Sequence, residues 1–363
     1  MTNGRLRKLQ RKLRNILVTG GAGFIGSAFI RRVLAARAHD YVRIVNLDAL
    51  TYAGNLDNLT GIDEERHTFV RGDILDGELV EKLVDEHAID TIVHFAAESH
   101  VDRSIHGPAA FIQTNVVGTM RLLDVVRAKP HVHFHHVSTD EVYGSLPLGE
   151  GIFTEESPYQ PNSPYAASKA ASDHLVRAWA RTYKLSVTTS HASNTYGPYQ
   201  FPEKLIPLMI ANCIDGKPLP VYGDGKNVRD WLHVDDHADA IWRILELGES
   251  GEVYDVGGRN EWANIDIVHT LCDQMAAARG EDAAKYRALI MFVKDRPAHD
   301  RRYAIEGEKI ERALGWRPRY DFERGLRWTI EWYLANQAWM ERVKTGAYRD
   351  WIEKHYTRNG TQT

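Results

Sequence analysis

The chain has 363 residues, which is long enough for two lobes or one large domain with a substantial core. Its net charge of −4 gives no reason to expect nucleic acid or a membrane surface as a partner. No apolar run approaches the ~20 residues that cross a bilayer. Two cysteines, Cys213 and Cys272, show no metal-ligand spacing, so we expect a cytoplasmic enzyme without disulfides.

Short β-branched segments alternate with helical patterns along most of the chain. Residues 1–14 are basic and lack the apolar segment of a secretory signal, so they predict a solvated tail. The predicted strands start at Ile16, Ile44, Thr91, Phe134, Val187 and Val253. This alternation predicts an α/β fold with a doubly wound parallel Rossmann sheet.

Prolines and glycines become frequent after Asn194, where a smaller, interleaved C-terminal substrate-binding lobe is expected to begin. The predicted division has four parts. They are a basic tail at 1–14, a cofactor-binding domain at 15–197 to which 231–258 returns, a substrate lobe at 198–230 and 259–345, and a C-terminal tail at 346–363.

The segment Gly20-Gly21-Ala22-Gly23-Phe24-Ile25-Gly26 lies between the first predicted strand and an apolar helix. Glycines there permit a tight turn and close approach to a pyrophosphate, which the helix N-terminus attracts. Asp48 closes the second strand, where a carboxylate binds ribose hydroxyls and disfavours a 2′-phosphate. The pattern predicts NAD rather than NADP as cofactor, with Asp73 and Ile74 covering the adenine.

Two further segments carry acid–base chemistry. Thr139, Asp140 and Glu141 follow one predicted strand, and Tyr165 precedes Lys169 by one helical turn. A Lys at this spacing can favour the phenolate of the Tyr, which can then take a hydroxyl proton while a nicotinamide takes the hydride. The adjacent carboxylates add a second acid/base pair that simple hydride transfer does not need.

These segments resemble the extended short-chain dehydrogenase/reductases, and among them the dTDP-glucose 4,6-dehydratases. The resemblance covers about 15–320, including His94–Ser104, Ser193–Leu208, Leu219–Trp231 and Lys294–Tyr303. The related epimerases usually lack the Asp-Glu pair, so that pair is the specific marker. The group often has a Gly where this chain has Ala298, and a second Asn at Thr195.

The resemblance implies a role for each catalytic residue. Tyr165 removes the proton of the sugar 4-hydroxyl while C4 gives hydride to NAD, Thr139 binds the same oxygen, and Lys169 lowers the pKa of the Tyr. Glu141 takes the C5 proton, and Asp140, which must be protonated, protonates the departing 6-hydroxyl. Hydride then returns to C6, so the enzyme is a hydro-lyase that recycles its NAD.

The resemblance also implies the binding residues. Those expected to contact the cofactor are Gly20, Gly23, Phe24, Ile25, Gly26, Asp48, Ala49, Leu50, Thr51, Asp73, Ile74, Phe95, Ala96, Ala97, Ser99, Thr114, Tyr165, Lys169 and Thr195. Those expected to contact the nucleotide sugar are Ser99, His100, Thr139, Asn194, Lys204, Leu205, Pro220, Tyr222, Arg229, Asn264, Arg296 and His299.

Several alternatives remain open from the sequence. The substrate could carry UDP, GDP or CDP, or the reaction could be 4-epimerisation. His131, His133 and His135 alternate along one segment, but side chains spaced ~7 Å along one face do not converge on one ion, so no metal is expected. Relatives commonly dimerise through two helices per subunit, which implies a homodimer through the helix predicted at 109–128.

Overall fold

A sheet of seven parallel strands forms the centre of the molecule. The structure is a computed structural model that describes residues 11–36 and 41–344. The strands are rich in buried β-branched residues, as expected for a sheet covered on both faces. They are β1 (Asn15–Thr19), β2 (Arg43–Asp48), β3 (His67–Arg71), β4 (Thr91–His94), β5 (His133–Thr139), β6 (Val187–Ala192) and β10 (Val253–Val256).

The strand order is β10-β6-β5-β4-β1-β2-β3. Because β1 pairs with both β2 and β4, Ile16 lies opposite Ile44 on one side and Thr91 on the other. The chain changes its winding direction at this point, which opens a crevice at the carboxyl ends of the strands. β10 pairs in parallel with β6, with Val253 opposite Thr189. The predicted doubly wound Rossmann sheet is confirmed.

Helices cover both faces of the sheet. On one face α1 (Phe24–Ala35) packs beside α8 (Val234–Leu247), and both contribute to a core with Ile16 and Val18. The helices of the other face are α2 (Gly77–Glu86), α5 (Thr119–Ala128) and α6 (Pro164–Tyr183).

The helix predicted at 109–128 differs from a regular α-helix. Short helices α3 (Val101–His106) and α4 (Pro108–Phe111) lead into a π-helix at Ile112–Gly118, which continues as α5. The buried Asn115 side chain lies on the π-helix and donates to Ser168 Oγ at 2.8 Å and to the Glu98 carbonyl at 3.0 Å. These contacts join the π-helix to α6 and to the segment after β4.

The C-terminal region builds a lobe with its own core, which includes Ile206, Met275 and Leu326. Two small sheets lie in it, with strand orders β11-β9-β7 and β12-β8. Their strands are β7 (Asn194–Tyr196), β8 (Leu219–Tyr222), β9 (Val228–His233), β11 (Glu261–Ala263) and β12 (Ile290–Val293). The helices of the lobe are α7 (Leu205–Asp215), α9 (Asn264–Arg279), α10 (Ala283–Arg287), α12 (Phe322–Ala335) and α13 (Gln337–Val343). The helix α11 (Glu308–Leu314) instead packs against α8 and β10, although the predicted division placed it in the lobe.

The predicted tails fall largely outside the described residues, namely 1–10 and 346–363. The end of the N-terminal tail differs from the solvated segment we expected, because Leu13 is buried and Arg11 Nη1 donates to the Leu245 carbonyl at 2.9 Å. Within the described ranges, no helix combines the length and apolar character needed to cross a bilayer.

Candidate active site

A glycine-rich turn joins β1 to α1 at the carboxyl edge of the sheet. Gly20 has a φ of +73°, and a Cβ there would lie 2.7 Å from the Ala96 backbone. A Cβ on Gly26 would lie 2.3 Å from the Gly20 carbonyl oxygen. Neither position has room for a side chain, so this tight turn requires glycine at both. The N-terminus of α1, which follows the turn, attracts a phosphate.

Asp48 ends β2 beside this turn. Its Oδ2 accepts a hydrogen bond from the Ala22 amide at 2.9 Å, and its Oδ1 accepts one from the Leu50 amide at 2.8 Å. Burial raises the pKa of Asp48, while the two amide donors oppose the rise. The carboxylate is therefore held where it can bind the ribose hydroxyls of a dinucleotide and repel a 2′-phosphate.

The turn, Asp48 and the carboxyl ends of β3, β4 and β5 surround a cavity of ≈ 320 Å³. All the predicted cofactor residues except Leu50 line it. They are Gly20, Gly23, Phe24, Ile25, Gly26, Asp48, Ala49, Thr51, Asp73, Ile74, Phe95, Ala96, Ala97, Ser99, Thr114, Tyr165, Lys169 and Thr195. Because its phosphate turn and its ribose-binding carboxylate share this cavity, the site fits a dinucleotide.

The five predicted catalytic residues lie together on the same cavity wall. Thr139 ends β5 and caps the short 3₁₀ turn Asp140–Tyr143, accepting a hydrogen bond from the Glu141 amide at 3.3 Å. Tyr165 lies in the first turn of α6, which Ser163 caps by accepting from the Ala166 amide at 3.1 Å. Two capped helix starts thus bring the carboxylate pair and the Tyr to one place.

The two adjacent carboxyl groups have different environments. Burial, followed by the charges of Glu141 and Asp230, raises the pKa of Asp140 well above its usual value. Burial also raises the pKa of Glu141, but the cations Arg296, Arg229 and Lys204 oppose that rise. Asp140 therefore favours the protonated form, and Glu141 is the better base.

The Tyr165–Lys169 pair differs from the simple sequence expectation. Burial and the Glu141 charge raise the pKa of Tyr165, whereas burial lowers the pKa of Lys169 to about 8. Lys169 Nζ donates to the Val137 carbonyl at 2.8 Å. In the protein alone the phenol is thus the favoured form of Tyr165, and a bound nicotinamide cation would shift it towards the phenolate.

Four of the predicted substrate residues line the cavity, namely Ser99, Thr139, Asn194 and Lys204. Lys204 Nζ donates to the Ser99 carbonyl at 2.8 Å, which ties the substrate lobe to the segment after β4. The predicted residues that do not line it are His100, Leu205, Pro220, Tyr222, Arg229, Asn264, Arg296 and His299.

Two arginines of this second group lie close enough to affect Glu141. The Arg229 guanidinium stacks 4.1 Å over the Tyr303 ring and donates to the Asp300 carbonyl at 2.8 Å. Arg296 Nη1 lies 3.2 Å from Asp102 Oδ1. Together with Lys204 they oppose the rise in the pKa of Glu141 that burial causes, and a guanidinium can make paired hydrogen bonds to diphosphate oxygens.

The other predicted substrate residues outside the cavity lie on several elements. Tyr222 donates to Asp102 Oδ2 at 3.2 Å, and His299 Nδ1 lies 2.6 Å from Asp295 Oδ1. Asn264 starts α9, and its buried Oδ1 accepts no hydrogen bond from the described residues. The remaining positions are His100 before α3, Leu205 at the start of α7 and Pro220 on β8.

The structure adds cavity-lining residues that the sequence analysis missed, among them Ser193, Gln200, Phe201, Glu203 and His237. His237 comes from α8 and its Nδ1 lies 3.0 Å from Thr195 Oγ1. A histidine inside an amphipathic helix gives no signal of its own. Glu203 precedes Lys204 within Ser193–Leu208, a segment that carries the family resemblance, so the sequence did hold a signal for that position.

Comparison with known proteins identifies relatives of this chain. The family model described as GDP-mannose 4,6 dehydratase matches residues 17–329. A curated dTDP-glucose 4,6-dehydratase from Xanthomonas campestris pv. campestris (strain B100) is 56% identical over 345 residues, covering 92% of this chain and 97% of its own. The structure of the dTDP-glucose 4,6-dehydratase DesIV from Streptomyces venezuelae, solved with NAD and TYD bound, superposes with a TM-score of 0.85 at 49% identity. That match covers 91% of this chain and 100% of the other.

Epimerases share the architecture at greater distance. The UDP-glucose 4-epimerase of Thermus thermophilus, solved in complex with NAD, gives a TM-score of 0.78 at 29% identity, with 89% of this chain and 99% of the other covered. The fold and the Tyr-Lys helix thus define an extended short-chain dehydrogenase/reductase. Within that class, the chain belongs to the dTDP-glucose 4,6-dehydratase family.

Proposed function

We propose that this enzyme converts dTDP-glucose to dTDP-4-keto-6-deoxyglucose and water. The observation that carries the proposal is the buried pair Asp140 and Glu141 beside Tyr165, in which one carboxyl group favours its proton and the other has cations around it. An elimination of water needs an acid and a base at one site and at one pH. Oxidation of an alcohol alone needs only the Tyr.

The cofactor is NAD, which accepts hydride from C4 of the sugar and returns hydride to C6 while a proton returns to C5. Its binding residues are those of the glycine turn, Asp48 and the cavity wall. The Asp48 carboxylate accounts for the preference over NADP, because a 2′-phosphate would meet its negative charge.

Each catalytic side chain has a step that its position supports. Tyr165 takes the 4-hydroxyl proton, and Thr139 binds the same oxygen. The 4-ketone acidifies the C5 hydrogen, which Glu141 removes, while Asp140 protonates the 6-hydroxyl so that it leaves as water. Lys169 provides the positive charge that favours the phenolate of Tyr165 during the first step.

The substrate lobe supplies the contacts to the nucleotide. Lys204, Arg229 and Arg296 face the diphosphate, since their charges converge on the Glu141 region. Asn194 and Ser99 bind the sugar side. The outer positions His100, Leu205, Pro220, Tyr222, Asn264 and His299 bind the nucleotide.

We also infer that the enzyme is a cytoplasmic homodimer that acts in deoxysugar and polysaccharide synthesis. The helical segment 109–128 is the proposed interface, and Ile112 on it is 49% exposed. Light scattering at micromolar concentration tests the assembly. A dimeric mass is expected, and a monomeric mass contradicts the inference.

The experiment that tests the function uses purified protein without added cofactor. It is incubated with dTDP-glucose and, separately, with UDP-glucose, and the loss of one water from the sugar nucleotide is followed by mass spectrometry. Loss from dTDP-glucose is expected, with slower loss from UDP-glucose because a pocket distinguishes one methyl group by only ~10–200-fold. No water loss from either, even with added NAD, would overturn the proposal.

A further inference from the structure

A buried polar network lies behind the catalytic pair, and the reaction steps above do not use it. Its centre is Asp173, which lies one turn after Lys169 and two turns after Tyr165 on α6. Side chains four residues apart lie on the same helix face, so the three form one stripe. Asp173 is 5% exposed and Lys169 is 4% exposed.

Three strand side chains hold the Asp173 carboxylate. Ser138 Oγ donates to Oδ2 at 3.0 Å, and His191 Nε2 lies 3.0 Å from the same oxygen. His136 Nε2 lies 3.0 Å from Oδ1. These contacts and the charge of His191 lower the pKa of Asp173 below its usual range despite its burial. The carboxyl group is therefore a fixed anion.

His191 is the charged partner of this anion. The carboxylates of Asp173 and Asp255 raise the pKa of His191 to about 9 against the effect of burial. Its Nδ1 lies 3.2 Å from Asp255 Oδ1. The carboxyl groups of Asp173 and Asp255 thus both act on His191, and Asp173 also acts on Lys169.

Other titratable groups also face Lys169. His136 on β5 and His94 on β4 both have their pKa lowered partly by the Lys169 charge. Lys169 itself is affected by burial, which lowers its pKa, and by Asp173, which raises it. Tyr165, one helical turn before Lys169, has its pKa raised by burial, by the charges of Glu141 and Asp140, and also by that of Asp173.

We propose that Asp173 is a positioning residue for the proposed reaction: its buried carboxylate, held by Ser138, His136 and His191, keeps Lys169 as an ammonium ion for the first proton transfer. The inference rests on the proposed function, because it assigns the Tyr165–Lys169 pair its role. Asp173 touches neither substrate nor cofactor. It acts through the charge that it places one helical turn from Lys169.

His191 has the opposite effect on the same ammonium. Its imidazolium partly cancels the Asp173 charge, so the two residues set the protonation of Lys169 in opposite directions. Removing the anion disfavours the ammonium, and removing the imidazolium favours it. A role in packing alone predicts no such opposition.

The test compares variants with the wild-type holoenzyme in single-turnover C4 oxidation of dTDP-glucose, followed by reduced-nicotinamide absorbance across pH. In Asp173→Asn the alkaline limb of the pH–rate profile, where Lys169 loses its proton, should move to lower pH by about one unit or more. This is the scale expected for charges one helical turn apart. For a shift of one unit the rate at neutral pH should fall by only ~2-fold, because half of Lys169 would still be an ammonium ion there. Asp173→Glu restores the charge, so the alkaline limb of its pH–rate profile should lie close to that of the wild type.

His191→Asn gives the second arm, with the alkaline limb expected at higher pH than in the wild type. If Asp173→Asn does not fold, this upward shift still tests the inference. Asp236→Asn is the matched control, because Asp236 is a buried carboxylate that binds Arg319 and the Tyr320 amide away from Lys169.

The outcomes separate the two proposals. Water loss from dTDP-glucose by the wild type tests the function, whatever the variants do. The positioning role is wrong if the wild type is active and the alkaline limbs of Asp173→Asn and His191→Asn coincide with the wild-type limb. It is also wrong if both limbs move in the same direction.

Discussion

At the scale of single residues, the site depends on two adjacent carboxyl groups that lie in different electrostatic environments. Asp140 and Glu141 are adjacent, yet burial and anions act on the first while three cations act on the second. The sequence shows the pair but not this asymmetry, because Arg229 and Arg296 are distant in the chain. The division of labour between acid and base is therefore a property of the fold.

Replacing Asp140 tests the acid. Asp140→Asn is nearly isosteric but has no acidic proton to give, so water loss should slow by ~10²–10⁴-fold while C4 oxidation continues. Reduced nicotinamide should then accumulate on the enzyme, as seen by its absorbance after mixing with dTDP-glucose. Asp224→Asn, at an exposed ion pair with Arg301, is the control. Equal turnover by Asp140→Asn and the wild type would mean that the acid is another group.

Replacing Tyr165 tests the base. Tyr165→Phe keeps the ring, which packs edge-on against Phe111, and removes the proton acceptor. The first appearance of reduced nicotinamide should slow by ~10²–10⁴-fold. Tyr286→Phe, at a phenol that binds Glu281, should behave as the wild type. An unchanged absorbance rise in Tyr165→Phe would remove Tyr165 from this role.

Ala298 is a third residue with a testable consequence. Its φ is +51°, in the left-handed region that costs a residue with a side chain ~1–2 kcal/mol. Ala298→Gly relieves that strain but adds ~0.4–1 kcal/mol of unfolded-chain entropy, so the free energy of unfolding should stay equal or rise by up to ~1 kcal/mol. Urea unfolding measures it. Ala277→Gly, at an exposed position of α9, should instead lose ~1 kcal/mol. A similar loss in both variants would contradict the strain.

At the scale of elements, contacts between distant segments close the cofactor cavity. The segment after β2 meets the segment before α7, because Tyr52 donates to Glu203 Oε1 at 3.1 Å and its ring packs edge-on against Phe201. The Arg103 guanidinium lies 3.7 Å over the same ring. Since Ala53 and Glu203 line the cavity, this contact spans it.

Breaking that contact should speed cofactor release. Tyr52→Phe keeps the ring and deletes the hydrogen bond, which contributes ~0.5–1.5 kcal/mol or more where the acceptor is charged. NAD should therefore dissociate about 2–10-fold faster, measured as NAD released after gel filtration over time. Tyr41→Phe, at an exposed ring, is the control. Equal retention by Tyr52→Phe and the wild type would show that the contact does not hold the cofactor.

Elements whose signals are local could be predicted from the sequence. The glycine turn, the strands at Ile16 and Phe134 and the returning strand at Val253 all depend on short-range patterns, and the sheet contains them. The π-helix was not predicted, because its extra residue per turn accompanies the tertiary contacts of Asn115. Periodicity cannot show a contact between two helices.

At the scale of the whole molecule, buried histidines couple stability to pH. Burial lowers the pKa of His133 and His237 to about 3 and of His136 to about 4. The folded state holds these rings neutral, whereas the unfolded chain protonates them near pH ~6.5. Their contribution is fully present above that pH and is lost as pH falls towards the folded pKa.

One histidine can be isolated from this background. His133 bonds Ser186 and Thr188 on the neighbouring strand segment at 2.8 and 2.9 Å, which a glutamine amide can also do. In His133→Gln the free energy of unfolding should fall less steeply between about pH 6 and pH 4 than in the wild type, by ~1.4 kcal/mol per pH unit. Carboxyl groups whose pKa is raised, such as Asp140, oppose the fall in the free energy of unfolding as the pH drops. They do so in both proteins, so their effect cancels in the comparison.

Urea unfolding of both proteins at several pH values in that range measures the two slopes. His131→Gln is the matched control, because His131 is exposed just before the strand and its removal should leave the slope as it is. Parallel slopes for His133→Gln and the wild type would mean that the folded protein already protonates this ring in mild acid. In that case the acid sensitivity of the molecule would arise from other buried histidines, among them His136, beside Asp173, and His237, which lines the catalytic cavity.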